Sequence, residues 1–231
     1  MKINEFKDEL LKRNIALTER QLEQFDIYAR YLKEYNEKIN LTAITEYEEV
    51  LEKHFYDSLL LIDRKLEGDL VDVGSGAGFP GVVLKIVLPD LHIILLEPIR
   101  KRCVFLESLI EKLGLKDIEV INERAEDYSL THREKHCYVT TRAVSNLNAL
   151  IEVCGAMVKR NGYFIALRGK DGNEEIHDAS KAISLMGFEV ENINEEHLSD
   201  GSKRIISYFK KVKETPNKYP RKYSIIKQHT L

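Results

Sequence analysis

The chain has 231 residues, 43% hydrophobic and 32% charged, with a formal charge of −3; this fits one principal domain with an added subdomain and falls short of two full-sized domains. No apolar run approaches the roughly 18 residues that cross a bilayer, and the opening stretch to Asn14 mixes acids and bases, so a cytoplasmic globular protein without secretion signal or membrane anchor is expected. Cys103, Cys137 and Cys154 are odd in number and far apart, which argues against a disulfide framework or cysteine-rich zinc site and predicts three reduced, mostly buried thiols.

The first third reads as helices. Thr18 to Gln21 forms a capping box, after which Leu22, Phe25, Tyr28, Ala29, Leu32, Tyr35 and Ile39 recur at three- and four-residue steps, predicting one buried helical face that ends near Asn40. Thr45 to Glu48 offers a second box, with Val50, Leu51, His54, Phe55, Ser58, Leu59 and Leu61 continuing on one face. Residues 1–64 are thus expected to form a helical cap.

From Leu70 the rhythm changes to short apolar runs alternating with amphipathic stretches, the pattern of βα units and a parallel sheet. Strands are predicted at 70–73, 92–97, 118–122, 137–141 and 163–167, and helices at 81–88, 100–113, 146–159 and 174–186. Two more strands, 188–193 and 204–210, follow the last helix and can pair as an antiparallel hairpin at the sheet edge. Residues 65–214 are read as this sheet domain and 215–231 as a basic arm.

Between the first strand and the first helix of the sheet stands Val71-Asp72-Val73-Gly74-Ser75-Gly76-Ala77-Gly78-Phe79-Pro80-Gly81. Glycines there let the backbone take positive φ and approach a ligand closely, and sheets of this kind bind ligands at the strands' carboxyl ends. Asp72 can orient the loop or accept from a ligand ammonium. Glu97 closes the second strand at the distance from Gly74 where an acid typically meets a ribose diol. Glu126 and Asp127 follow the third strand, where an adenine amine is expected. The segment Gly76 to Gly81 also satisfies G-x-G-x-x-G, so the loop alone leaves a nicotinamide dinucleotide and S-adenosylmethionine both open. Against the dinucleotide, Pro80 has no amide to offer a pyrophosphate.

These residues resemble one family, the small-subunit ribosomal RNA methyltransferase G family, also called glucose-inhibited division protein B. The resemblance runs through Asn40-Leu41-Thr42, His54 with Asp57-Ser58-Leu59, the glycine loop from Asp72 to Gly81, Arg124-Ala125-Glu126, Thr141-Arg142-Ala143-Val144 and Thr215-Pro216-Asn217-Lys218-Tyr219-Pro220-Arg221. It implies an α/β fold with a class I methyltransferase (Rossmann-like) sheet, mostly parallel with a C-terminal antiparallel hairpin, plus the N-terminal cap. The implied reaction is methyl transfer from S-adenosylmethionine to N7 of a guanine in a hairpin loop of 16S ribosomal RNA near the decoding site, on the RNA or the small ribosomal subunit. Cofactor contacts are implied at Gly74, Phe79, Ala125, Glu126 and Arg142, to which the reading of the loop adds Asp72, Gly76, Gly78 and Glu97. The chain departs from the family after Lys222, where a Gly-x-Pro segment is usual, and at Arg168, where a Lys-Gly pair is common.

Guanine N7 carries a lone pair and no proton, so its attack on a sulfonium methyl needs positioning and no obligatory general base. Arg142, after the fourth strand, is the candidate positioning residue, holding either the methionine carboxylate or an RNA phosphate. His54 and Asp57 are read first as braces between cap and sheet. His132 and His136 have helical spacing but no third ligand, so no metal is expected. The stretch from Lys203 to Lys227 carries nine basic residues against Glu214 alone, which points to a polyanion; Arg168, Lys218, Arg221 and Lys222 are the candidate RNA contacts. Tyr208, Phe209, Tyr219 and Tyr223 are available to stack on a base or to pack in the core. Deleting 215–231 is therefore expected to weaken RNA binding and spare the cofactor. The alternatives are a nicotinamide-dependent oxidoreductase, for which no hydride-transfer site is recognisable, and an RNA-binding module with a vestigial cofactor pocket.

Overall fold

The computed structural model describes residues 1–142 and 146–231; Ala143 and Val144 of the fourth-strand motif lie outside the described residues. Its helices are α1 (Ile3–Lys12), α2 (Glu19–Asn36), α3 (Tyr47–Val50), which passes through a π-helical segment (Leu51–Tyr56) into α4 (Asp57–Leu59), α5 (Gly81–Val87), α6 (Arg100–Leu113), α7 (Ala125–Thr131), α8 (Leu147–Gly155), α9 (Gly172–Asp178), α10 (Ser180–Leu185) and α11 (Tyr223–Gln228). The strands are β1 (Asp69–Val73), β2 (His92–Leu96), β3 (Ile118–Ile121), β4 (His136–Arg142), β5 (Val158–Arg168), β6 (Phe188–His197) and β7 (Lys203–Lys211).

The seven strands form one sheet in the order β3-β2-β1-β4-β5-β7-β6. The first five are parallel, whereas β7 runs antiparallel to β5 and β6 antiparallel to β7. The chain winds outward from β1 to β3 and then returns to lay β4 on the other side of β1. That switch point opens a crevice at the strands' carboxyl ends.

Side chains alternate between two cores as strand geometry requires. Leu70, Ile93, Leu95, Ile165, Ile206 and Tyr208 face the layer holding Phe6, Phe25, Tyr28, Phe55, Leu84 and Phe105. Val71, Ile94, Leu96, Phe164, Ala166 and Phe209 face the other layer, with Ile151, Cys154, Ile183 and Met186. The N-terminal helices thus share a continuous core with one face of the sheet. Polar bonds fix α2 there: Gln21 Nε2 donates to the Ile86 carbonyl and Gln24 Nε2 to the Leu113 carbonyl, both at 2.8 Å, and the Tyr31 and Ser108 hydroxyls meet at 2.8 Å.

Several boundaries differ from the sequence reading. The box at Thr18 forms, with Gln21 N donating to Thr18 Oγ1. The one at Thr45 does not: the helix starts at Tyr47 after Glu46, without a side-chain cap. At the end of α2, Asn36 Oδ1 accepts from the Leu41 and Thr42 amides, which turns the chain, and the helix ends at Asn36 and not near Asn40. The helix expected over 146–159 stops at Gly155, because Val158 already pairs with β4; Asn161, at φ 66°, accommodates the register shift that follows. The 174–186 segment is two helices that meet at Ala179. The sequence pattern predicts neither α7 nor α11.

Candidate active site

The glycine loop closes on itself. Gly74 N donates to the Leu96 carbonyl, Gly76 N to Glu97 Oε2, Gly78 N and Phe79 N to the Ser75 carbonyl, and Gly81 N to Asp72 Oδ2. Gly74 and Gly76 take φ of 72° and 57°, which other residues rarely adopt. At Gly78 a Cβ would come within 2.6 Å of the Tyr28 hydroxyl, which donates to the Ala77 carbonyl at 2.6 Å. An α2 side chain therefore clamps the loop, and its ring stacks on Phe79 at 5.5 Å. With these five amides spent internally, the loop is a poor cradle for a pyrophosphate, which needs free N–H groups.

Asp72 lies behind the loop, fully buried. One oxygen accepts from Gly81 and the other has no partner among the described residues. Burial raises its carboxyl to about 7, against the pull of the Gly81 amide and the Arg142 charge. Of the two roles open to it, the structure supports orienting the loop. Glu97 is likewise buried; Gly76 N and Ile99 N each donate to one of its oxygens at 2.9 Å, and Arg102 stands 3.9 Å away. Each oxygen retains a lone pair for a ligand hydroxyl.

A trough runs across the strand ends. Its first part is a mostly apolar slot walled by Val73, Leu96 and Pro98 on one side and Ala149, Leu150 and Val153 on the other, with Ala125, Glu126 and Tyr223 at its rim. Asp127 is exposed and outside it. The middle part holds Gly74, Gly76, Phe79, Glu97, Arg102 and Arg142 with Thr42 and His54. The third, sharing His54 and Arg142 with the middle, is lined by Lys53, Asp57, Arg168 and Arg204. A mostly apolar slot and a carboxylate with free lone pairs suit an adenine and a ribose diol, and Gly74, Gly76 and Phe79 line the space beyond them where an aminoacyl end would lie. S-adenosylmethionine fits this donor set and a dinucleotide pyrophosphate does not.

The π-helical segment supplies the third part's floor. His54 stacks on Phe79 at 4.3 Å and its Nε2 meets Thr42 Oγ1 at 2.8 Å. Burial, then the neighbouring Arg142 charge, lower its imidazole from 6.5 to about 3, so it is neutral at physiological pH. Arg142 lies over the Phe79 ring at 4.8 Å and donates to the Lys53 carbonyl at 3.3 Å and Asp57 Oδ2 at 3.2 Å. Arg204 Nε donates to the other Asp57 oxygen at 2.7 Å. Two guanidiniums share one carboxylate, which leaves a positive charge for an anion. His54 and Asp57 both brace the cap and line the trough.

Of the expected RNA contacts, Lys218 and Lys222 are exposed. Arg168 is paired with Glu175, with its Nη1 buried and unpartnered among the described residues. Arg221 is committed elsewhere, as its amide and guanidinium grip the fully buried Glu152 at 2.6–2.9 Å. Tyr208 and Phe209 are core residues on opposite faces and Tyr219 is buried, which leaves Tyr223 as the exposed aromatic of that set. His132 and His136 stack against Tyr128, and His136 pairs with Asp69 at 2.5 Å; among the described residues no group of three or more His, Cys, Asp or Glu can hold a metal. The three cysteines are free, with Cys103 and Cys154 buried and Cys137 partly so. Among the described residues no helix is long and apolar enough to cross a membrane.

The sheet order, the antiparallel edge and the trough under the glycine loop define an S-adenosylmethionine-dependent class I methyltransferase. Among solved structures, a SAM-dependent methyltransferase from Aquifex aeolicus superposes with a TM-score of 0.52 at 15% identity, covering 76% of this chain and 97% of that one. A precorrin-6y C5,15-methyltransferase from Geobacter metallireducens does so with 0.51 at 14%, covering 74% and 91%. These likenesses are of fold. The family model for rRNA small subunit methyltransferase G matches residues 21–206. Ribosomal RNA small subunit methyltransferase G of Bacillus subtilis is 44% identical over 228 residues, covering 96% of this chain and 95% of the relative, and that of Listeria monocytogenes (strain F2365) is 42% identical over 232, covering 96% of each. The chain belongs to the rRNA small subunit methyltransferase G family.

Proposed function

We propose that the chain transfers a methyl group from S-adenosylmethionine to N7 of a guanine in a hairpin loop of 16S ribosomal RNA near the decoding site, in the cytoplasm. Family membership supports the RNA class. The choice of acceptor atom comes from the family resemblance and is supported by one observation, the state of the trough's candidate bases. Among the described residues lining its middle and third parts, Asp57 is held by two guanidiniums, Glu97 by two backbone amides, and His54, at about 3, is too weak a base to hold a proton at neutral pH. Such a site serves a nucleophile that attacks without losing a proton, as guanine N7 does.

When bound, S-adenosylmethionine supplies an electrophilic methyl group on a sulfonium. Glu97 accepts from the ribose hydroxyls; Gly74, Gly76 and Phe79 set the floor under the aminoacyl end; Ala125 and Glu126 border the adenine. Arg142, shared by the middle and third parts, orders the junction where the guanine must meet the methyl. The Lys53 carbonyl and Asp57 beside that junction are taken up by Arg142 and Arg204 and hold the guanidiniums in place there. Arg204 and the unpartnered nitrogen of Arg168 take the flanking phosphate, with Lys218 and Lys222 farther along the RNA. Residues 1–64 then act as a cap that supplies His54 and Asp57, 65–214 as the cofactor-binding unit and 215–231 as a C-terminal arm.

The test is a substrate RNA in which the target guanine is replaced by 7-deazaguanine, with a C–H in place of N7. Methyl transfer to the guanine RNA and none to the deaza RNA is expected; equal transfer to both would exclude N7.

A further inference from the structure

From the last residue of β7 to Arg221 the chain is fastened three times. The fully buried Lys211 amine donates to the Gly155 and Met186 carbonyls, at 2.9 and 2.7 Å, and to Thr215 Oγ1. Arg133 donates to the Thr215 and Tyr219 carbonyls, and Glu134 accepts from the Thr215 amide at 2.6 Å. Arg221 then neutralises Glu152, a carboxylate on α8 that is fully buried and would be costly if left alone. Two basic residues of this stretch, Lys211 and Arg221, are thus committed inside the protein.

The fastening delivers α11 to the cofactor end of the trough. Ile226 is fully buried in a small cluster with Ala149 and Val153, against Ala125. Ala149, Val153 and Ala125 also line the apolar slot, and Tyr223, one turn before Ile226, stands at the slot's rim. We infer that Tyr223 is a positioning residue for the cofactor, its ring covering the adenine, and that the arm ending in α11 forms the fourth wall of the cofactor pocket.

This rests on the reading of the slot as the adenine end of the trough. It reverses the expectation that removing 215–231 spares the cofactor. Tyr223 is 37% exposed, so its ring lies partly in solvent until a ligand covers it. An aromatic face on a purine contributes about tenfold or more in affinity.

The experiment is calorimetric titration of S-adenosylhomocysteine into the full-length wild type, Tyr223→Ala and Tyr223→Phe, with RNA binding measured in parallel without cofactor. The expected result is a Kd raised about tenfold by Tyr223→Ala and restored by Tyr223→Phe, with RNA affinity the same for all three. In the wild type, saturating S-adenosylhomocysteine is also expected to slow tryptic cleavage after Lys222. Wild-type affinity in Tyr223→Ala would overturn this inference alone, as would a loss confined to RNA binding. A wild type with no affinity for S-adenosylhomocysteine would overturn the reading of the trough and this inference with it.

Discussion

The two ends of the trough are built on different principles. At the cofactor end the chain offers backbone and apolar walls, and its charged groups Asp72 and Glu97 are buried and bound to loop amides. At the other end, guanidiniums from β4, β5 and β7 converge on the π-helical segment and the start of α4, and their alignment depends on ion pairs with Asp57 and Glu175. A pocket for one small molecule of fixed shape can be rigid and local. A surface for a polyanion needs charge brought together from distant strands.

Arg142 sits where the two ends meet, and its loss is the largest effect expected. Arg142→Ala lowers single-turnover rate by about 10²–10³-fold, the cost of one preorganised donor, while the Kd for S-adenosylhomocysteine changes far less. A loss of cofactor affinity as large as the loss of rate would assign the residue to the cofactor end. At that end, Glu97→Gln raises the cofactor Kd about tenfold, since a hydrogen bond to a charged acceptor is weakened, and leaves RNA affinity intact. A fall in RNA affinity without cofactor would break the division between the ends.

At the cationic end, Arg204→Ala weakens RNA binding a few-fold and lowers the slope of log K against log salt by about 0.7–0.9, the release of one counterion. An unchanged slope would mean that Arg204 only braces Asp57. A further effect is on pH-dependent stability, where His54 and Asp72 oppose each other. His54 is held neutral, so the stability it contributes is complete above its ordinary 6.5 and is lost as pH falls from there toward about 3. Asp72 is raised from 3.8 to about 7, so its contribution is complete below 3.8 and is lost as pH rises toward 7. Acidifying from pH 6.5 to 4 therefore destabilises Asp72→Asn more steeply than wild type, by up to about 1.4 kcal/mol per pH unit, and His54→Gln less steeply. Urea midpoints across that range test it, and parallel slopes for all three proteins would contradict it.

The end proposed for the cofactor is legible in the sequence because its parts are local. Strands buried on both faces read as continuous apolar runs, and α6 was read from Arg100 to Leu113, with Gly114 at φ 60° closing it. The glycine loop and Glu97 carry their geometry in their spacing. The other end was legible only in pieces. Arg142 and Arg168 were singled out, but the partnership of Arg142 with Arg204 through Asp57 joins residues up to 147 positions apart, which no local pattern encodes. His54 of the π-helical segment stacks on Phe79, and helical periodicity cannot announce such a segment. Composition misjudges two residues of the basic stretch for a related reason: it counts Lys211 and Arg221 as solvent charges, whereas one is a buried hydrogen-bond hub and the other half of a partly buried ion pair. α11, six residues long, is too short for periodicity to reveal.

The central claim is that the two ends meet at Arg142 to methylate an RNA guanine without a general base. Its most direct test is transfer of a labelled methyl group from S-adenosylmethionine to small ribosomal subunits that lack the modification, followed by mapping of the labelled base. The account predicts label on guanine N7 in the hairpin near the decoding site. Label on an exocyclic amine or a ribose hydroxyl, either of which must lose a proton, would contradict it.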